Sequence, residues 1–279
     1  MKLASISLTA AFITIFFTLP ASAQWGIGEK GNGQVVTTTR DVSSFSKIDV
    51  SCSADVFIRQ GNNVDVKVRT DENLQEMVET KVKGDELEID IDGNIRNYKE
   101  MEIYITVDKL SAITINGSGD VESENEISGM DFEIGINGSG NVDINFDVKN
   151  LSTYINGSGD VEVSGVQGMF LLKINGSGDF EAEDLHLTEC NIRVMGSGDV
   201  SLSGTAEKVE VEQMASGDIN LYGLQARDVE VSTNGSGDAV VSVSGHLKAR
   251  LRGSGDLTYK GDPTSVDVSA SGSGEVYHR

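Results

Sequence analysis

Ile115-Asn116-Gly117-Ser118-Gly119-Asp120-Val121 decides the fold, because it comes back. Its Gly-Ser-Gly-Asp core starts again at Gly138 (ending in Asn141), Gly157, Gly176, Gly196, Ala215 (Ala for the first Gly), Gly235, Gly253 and Gly272 (ending in Glu275). These nine blocks stand 18 to 21 residues apart, which marks a tandem repeat. Cys52-Ser53-Ala54-Asp55 reads as a degenerate tenth.

The flanks repeat with the block. Two residues before it stand Ile115, Ile136, Ile155, Ile174, Val194, Gln213, Thr233, Leu251 and Ala270; four before stand Ile113, Ile134, Thr153, Leu172, Ile192, Val211, Val231, Ala249 and Val268. Just after it stand Val121, Val142, Val161, Phe180, Val200, Ile219, Ala239, Leu257 and Val276. Apolar and polar residues alternate on both sides, the period of a half-buried strand. A coil of about 19 residues holds two short strands and two turns, the second turn marked near Gly165, Gly204, Gly223, Gly245 and Gly261. One such coil cannot bury its apolar face alone, so coils must stack. The expected fold is all-β, a right-handed parallel β-helix of nine to ten coils with an N-terminal cap. At about 4.8 Å per coil the repeats form a rod of roughly 40 Å.

The chain divides accordingly. Residues 1–23 read as a signal peptide: Lys2, an apolar run to Leu19, and Ala21-Ser22-Ala23 before Gln24. Residues 24–44 are polar and Gly-rich and are expected to be a flexible lead-in. Residues 45–279 form the β-helix, with opening coils and a cap at 45–110 and the repeats at 111–279. A short helix is expected over 71–80, with Asp71 as N-cap and Leu74, Met77 and Val78 on one face. No later stretch is long and apolar enough to span a membrane. Export to the periplasm, the outer-membrane surface or the medium follows.

Forty-four acidic residues against 22 basic give a net charge of −22. Such a chain repels nucleic acid and anionic lipid, and suits cations, basic partners or uncharged glycans. Two cysteines, Cys52 and Cys190, are too few for a disulfide framework. Cys190 falls level with Phe170 and Val209, a core position; Cys52 sits at a turn several coils away, too far to bridge.

The blocks at Ile115–Asp120, Ile155–Asp160 and Ile174–Asp179, with the tripeptide Gly135-Ile136-Asn137, resemble the putative auto-transporter adhesin, head GIN domain family of Gram-negative bacteria. The opening at 45–60 and the closing Tyr259-Lys260-Gly261-Asp262-Pro263 resemble it too, so the likeness spans roughly residues 45–277. It implies an exported β-helical head, named an adhesin. No translocator barrel is expected, since the last repeat runs to Arg279.

Three columns carry the candidate chemistry. Asp120, Asp160, Asp179, Asp199, Asp218, Asp238 and Asp256 should line up, interrupted by Asn141 and closed by Glu275. Carboxylates about 5 Å apart repel by roughly 0.8 kcal/mol even in water. They therefore either share Ca²⁺ as a ladder or each cap their own turn by accepting backbone N–H bonds; the second is the expectation, and no cofactor is expected otherwise. Serines from Ser118 to Ser273 and asparagines 116, 137, 156, 175 and 234 form stacking columns.

An enzyme of the polysaccharide-degrading β-helix type would need carboxylates and a basic residue set apart from the repeat. Arg250 and Arg252 lie near the column, but His186, His246 and His278 are scattered, and no coil stands out. The sequence therefore points to a non-catalytic surface or periplasmic binding protein whose partner is a macromolecule or glycan. A β-helical lyase or hydrolase, and a structural envelope protein without a discrete ligand, are the alternatives. No catalytic residue is assigned, no aromatic platform is evident, and self-association is left open.

Overall fold

A computed structural model describes residues 28–214 and 216–279. The signal segment, residues 24–27 of the lead-in and Ala215 lie outside the described residues.

The chain is a parallel β-solenoid of about nine coils, and the columns expected from the repeat are its hydrogen-bonded register. Ile48 pairs with Ile113, and the column continues without a slip through Ile134, Thr153, Leu172, Ile192, Val211, Val231, Ala249 and Val268. The trailing column runs from Val56 through Val121, Val142, Val161, Phe180, Val200, Ile219, Ala239 and Leu257 to Val276. Apart from the last coil, these side chains are buried in one continuous core. Each buried Val, Leu, Ile or Phe contributes about 1.5–3 kcal/mol, so a one-residue slip, which would turn a whole strand inside out, is excluded.

Two glycines per block are explained by how closely the coils approach. A Cβ on Gly157 would stand 1.8 Å from the carbonyl oxygen of Gly138, and one on Gly159 would stand 2.0 Å from that of Gly140. The intervening serine uses its backbone instead: Ser158 N–H donates to Gly138 C=O at 3.1 Å, and Ser177 N–H to Gly157 C=O at 3.1 Å. In the degenerate block Cys52 and Ala54 take the glycine places beneath Gly117 and Gly119.

The far side of the coil differs from the expected second turn. The strand after one block runs through the corner and becomes the strand before the next, as in Phe180–Val194 and Ile219–Thr233. The corner is made by register shifts, as between Ala182 and Leu185, and by a positive φ at Asp184 and Gly165. It carries its own short ladder, with Leu187 paired to Ala206 and Ala206 to Ala226.

Residues 61–110 fold beneath the first coil. Glu86–Ile91 pairs parallel with Lys47–Val50, and Met101–Val107 with Asp55–Gln60. Antiparallel strands then end the stack: Val78–Lys83 against Glu86–Ile91, and Asp65–Asp71 against Met101–Val107. Two expectations are corrected here. The lead-in is not free, since Val35–Arg40 pairs antiparallel with Asp65–Asp71 as the outermost strand. The helix over 71–80 shrinks to a single 3₁₀ turn, Glu72–Leu74, followed by the strand Val78–Lys83. A helix that short does not sustain itself, and Val78, Thr80 and Val82 favour the strand. Asp71 makes no side-chain cap. Its buried carboxylate accepts the N–H groups of Gly33 and Lys99, tying the lead-in to the cap.

Candidate functional site

The acidic column forms, but its carboxylates do something other than cap their own turns. Asp160 Oδ1 accepts the N–H of Asp179 at 2.8 Å, Asp179 that of Asp199 at 2.7 Å, and Asp199 that of Asp218 at 2.7 Å. Asp218 and Asp238 continue the relay to Asp238 and Asp256, and Asp256 passes it to Glu275. Asn141 stands in without a gap, accepting from Asp160 at 2.9 Å while its own N–H donates to Asp120. Each side chain thus fastens the next coil. Asparagines 116, 137, 156 and 175 make a second relay, amide to amide at 2.8–3.0 Å. The serine hydroxyls are exposed; Ser236 Oγ reaches Ser216 Oγ at 3.4 Å. Among the described residues no three acidic, His or Cys side chains converge on one point.

The residues an enzyme would use are dispersed. Arg250 and Lys248 both bind Glu230, at 3.2 and 2.6 Å, on the strand before the block. His186 meets Thr205, His246 meets Ser265, and His278 stacks on Tyr259. Cys52 and Cys190 are free and buried, and burial pushes both thiols up.

One coil does break the repeat, which sequence reasoning missed. Where the strand Ile219–Thr233 meets Ala239–Val243, the register jumps between Leu221 and Gln225, so that Gln225 pairs with Ser242. The cause is a coil of 18 residues between Gly235 and Gly253 stacked on one of 20 between Ala215 and Gly235. The shorter coil cannot follow the longer around the corner. A groove of about 620 Å³ opens there, lined by Tyr222, Gln225, Arg227, Ser242, Ser244 and Lys260.

Tyr222 is 52% exposed at its edge. Lys260 Nζ stands 4.3 Å from the ring centroid, reaching past the small Ser242, whose hydroxyl donates to Tyr222 C=O at 2.7 Å. A cation over a tyrosine face is held by the ring quadrupole. Arg227 is steadied by Asp228 at 2.9 Å, and this guanidinium holds the Asp228 carboxyl below its usual range. The signal was present in the fourth residue after each block: Glu124, Asn145, Ser164, Glu183, Ser203, then Tyr222, Ser242, Lys260 and Arg279.

A parallel solenoid whose coils are fastened by a relayed carboxylate column, with a groove at one corner, defines the class: a β-solenoid built on an internal repeat. The chain belongs to the family "Putative auto-transporter adhesin, head GIN domain", whose model matches residues 44–203 and 188–263. With that family comes an exported, surface-associated location. Among solved structures, a putative adhesin from Bacteroides fragilis is 26% identical over 90% of this chain and 100% of its own, with a TM-score of 0.52. A putative lipid binding protein from Parabacteroides distasonis is also 26% identical, covering 90% of this chain and 99% of its own at a TM-score of 0.66. A putative adhesin from the same species, 23% identical over 90% and 99% with a TM-score of 0.71, shares the fold. No functionally curated protein matches the chain. Among the described residues no helix is long and apolar enough to cross a membrane.

Proposed function

We propose that this protein is an adhesin head that takes an uncharged glycan in the corner groove around Tyr222. The observation that carries the reading is the exposed Tyr222 ring with Lys260, Arg227, Gln225 and two serine hydroxyls around it. The ring face opposite Lys260 packs against the apolar face of a sugar, and the surrounding donors and acceptors match its hydroxyls. The net charge of −22 disfavours acidic polymers. The B. fragilis relative described as a putative adhesin supports the binding role. A lipid ligand, as the name of one P. distasonis relative suggests for that protein, is the second reading, because Ala206, Ala226 and Val243 also line the groove.

The test is a glycan microarray probed with the mature chain beside Tyr222→Ala and Lys260→Ala. Neutral glycans should bind the parent and lose at least tenfold in affinity with Tyr222→Ala. Binding that survives both substitutions, or binding to lipid vesicles in place of glycans, would overturn the reading.

A further inference from the structure

The two ends of the solenoid are built differently. At the N-terminal end the stack stops at two antiparallel edge strands: Val35–Arg40 ends the column of Asp55–Gln60, and Val78–Lys83, which ends the column that Ser265–Gly272 ends at the other side, carries Glu79, Lys81 and Lys83. Charges on an edge strand block further pairing. At the other end the last long strand, Ser265–Gly272, pairs with His246–Gly253 on one side, and its other edge has no partner strand among the described residues. Val266, Val268 and Ala270 continue the buried columns of Leu247, Ala249 and Leu251, yet Val266 is 46% and Val268 37% exposed. Residues 265–272 contain no Lys, Arg or Pro, and Asp267 is their single charge.

We infer that this end docks a second copy of the same chain, with the two Ser265–Gly272 strands pairing antiparallel across a twofold axis. Charge selects the occupant. Residues 246–279 hold five basic side chains (Lys248, Arg250, Arg252, Lys260, Arg279) and four acidic ones (Asp256, Asp262, Asp267, Glu275). The rest of the chain holds 17 basic against 40 acidic. Two copies repel along their flanks, and the open end is where that repulsion lapses.

The strand is also complementary to itself. Inward residues stay opposite inward residues only if the axis falls on a residue position. With the axis at Val268, Val268 meets its copy, Val266 meets Ala270, and Asp267 meets Ser269, so no carboxylate faces a carboxylate. Head-to-tail stacking would place this edge on the charged antiparallel cap. A twofold contact closes at two copies.

Analytical ultracentrifugation of the mature chain over a concentration series tests this, beside Val268→Lys and Val268→Cys. The expected result is a dimer that Val268→Lys converts to monomer. Its circular dichroism should be unchanged, since Val268 is exposed in a single copy. Val268→Cys should form an intermolecular disulfide under oxidation, because facing residues of an antiparallel pair lie about 4.5–5.5 Å apart, within disulfide reach. A monomer at 100 µM or so, a dimer indifferent to Val268→Lys, or open filaments would each overturn the inference.

Discussion

Replacing Asp179 separates charge from hydrogen bonding in the acidic column. Its Oδ1 accepts the Asp199 N–H at 2.7 Å, and its own N–H donates to Asp160 at 2.8 Å. Neighbouring carboxylates one coil away, about 4.8 Å, repel it by roughly 0.9 kcal/mol each in water. Screening at 0.15 M salt reduces the pair to about 1 kcal/mol in total. Asp179→Asn keeps the acceptor, as Asn141 does in its own coil, and removes the repulsion. The bond becomes neutral, a loss of about 1 kcal/mol, so Asp179→Asn should be close to neutral near 0.15 M salt, stabilising at lower salt and destabilising at higher salt. Asp179→Ala gains the same relief but loses a charge-assisted hydrogen bond worth about 1.5–3 kcal/mol, for a net loss of about 1 kcal/mol. Urea unfolding of the three proteins at 20 mM and 500 mM salt, or thereabouts, reads both signs. If Asn and Ala change stability by the same amount, the relay has no energetic role. If both destabilise and calcium restores the parent's advantage, the column is a cation ladder.

Other expectations follow from single side chains. Thr153 is buried between Ile134 and Leu172 with its hydroxyl unpartnered. Thr153→Val should stabilise by about 1 kcal/mol in the same urea assay. Asp71→Ala should cost at least about 1.5 kcal/mol at neutral pH, by freeing the Gly33 and Lys99 amides. Those amides, Lys99 first, hold the Asp71 carboxyl below its ordinary value. Its contribution is complete above the unfolded value near 4 and is lost as pH falls through the folded one. The gap between parent and Asp71→Ala in acid titrations should therefore close below about pH 4. Cys52 and Cys190 are both buried, so alkylation followed by mass spectrometry should label them only on unfolding.

The columns were legible in the sequence because two periods agreed: alternation within each strand and the spacing of blocks between coils. Ile155 over Ile136 and Phe180 over Val161 needed no more than counting. The relay was not legible, since an Asp after two glycines suits its own turn as well as the next coil's. The cap was misread where local signals were weakest. Leu74, Met77 and Val78 have helical spacing, but the strand pairing of 78–83 with 86–91 outweighs it. The groove depends on two coils of unequal length lying side by side, which brings Lys260 to Tyr222 across an intervening coil. Unequal intervals could be counted; their consequence at the corner could not.

The coils stack through the second glycine of the block, which is Gly in all nine blocks. A Cβ on Gly159 would meet Gly140 C=O at 2.0 Å, whereas one on Gly129 would meet only Val148 Cγ1 at 3.9 Å. Opening the stack at Gly159 would strain the hydrogen bonds from Ser158 and Asp160 to the coil before. Overpacking of about 1–3 kcal/mol and about 1 kcal/mol for each bond come to about 3 kcal/mol or more. For a chain of this size that is a fall in Tm of roughly 6–12 °C. Thermal unfolding of Gly159→Ala beside Gly129→Ala measures it. A large fall for Gly159→Ala and little change for Gly129→Ala is the predicted result, and a Gly159→Ala protein melting with the parent would contradict the stacking.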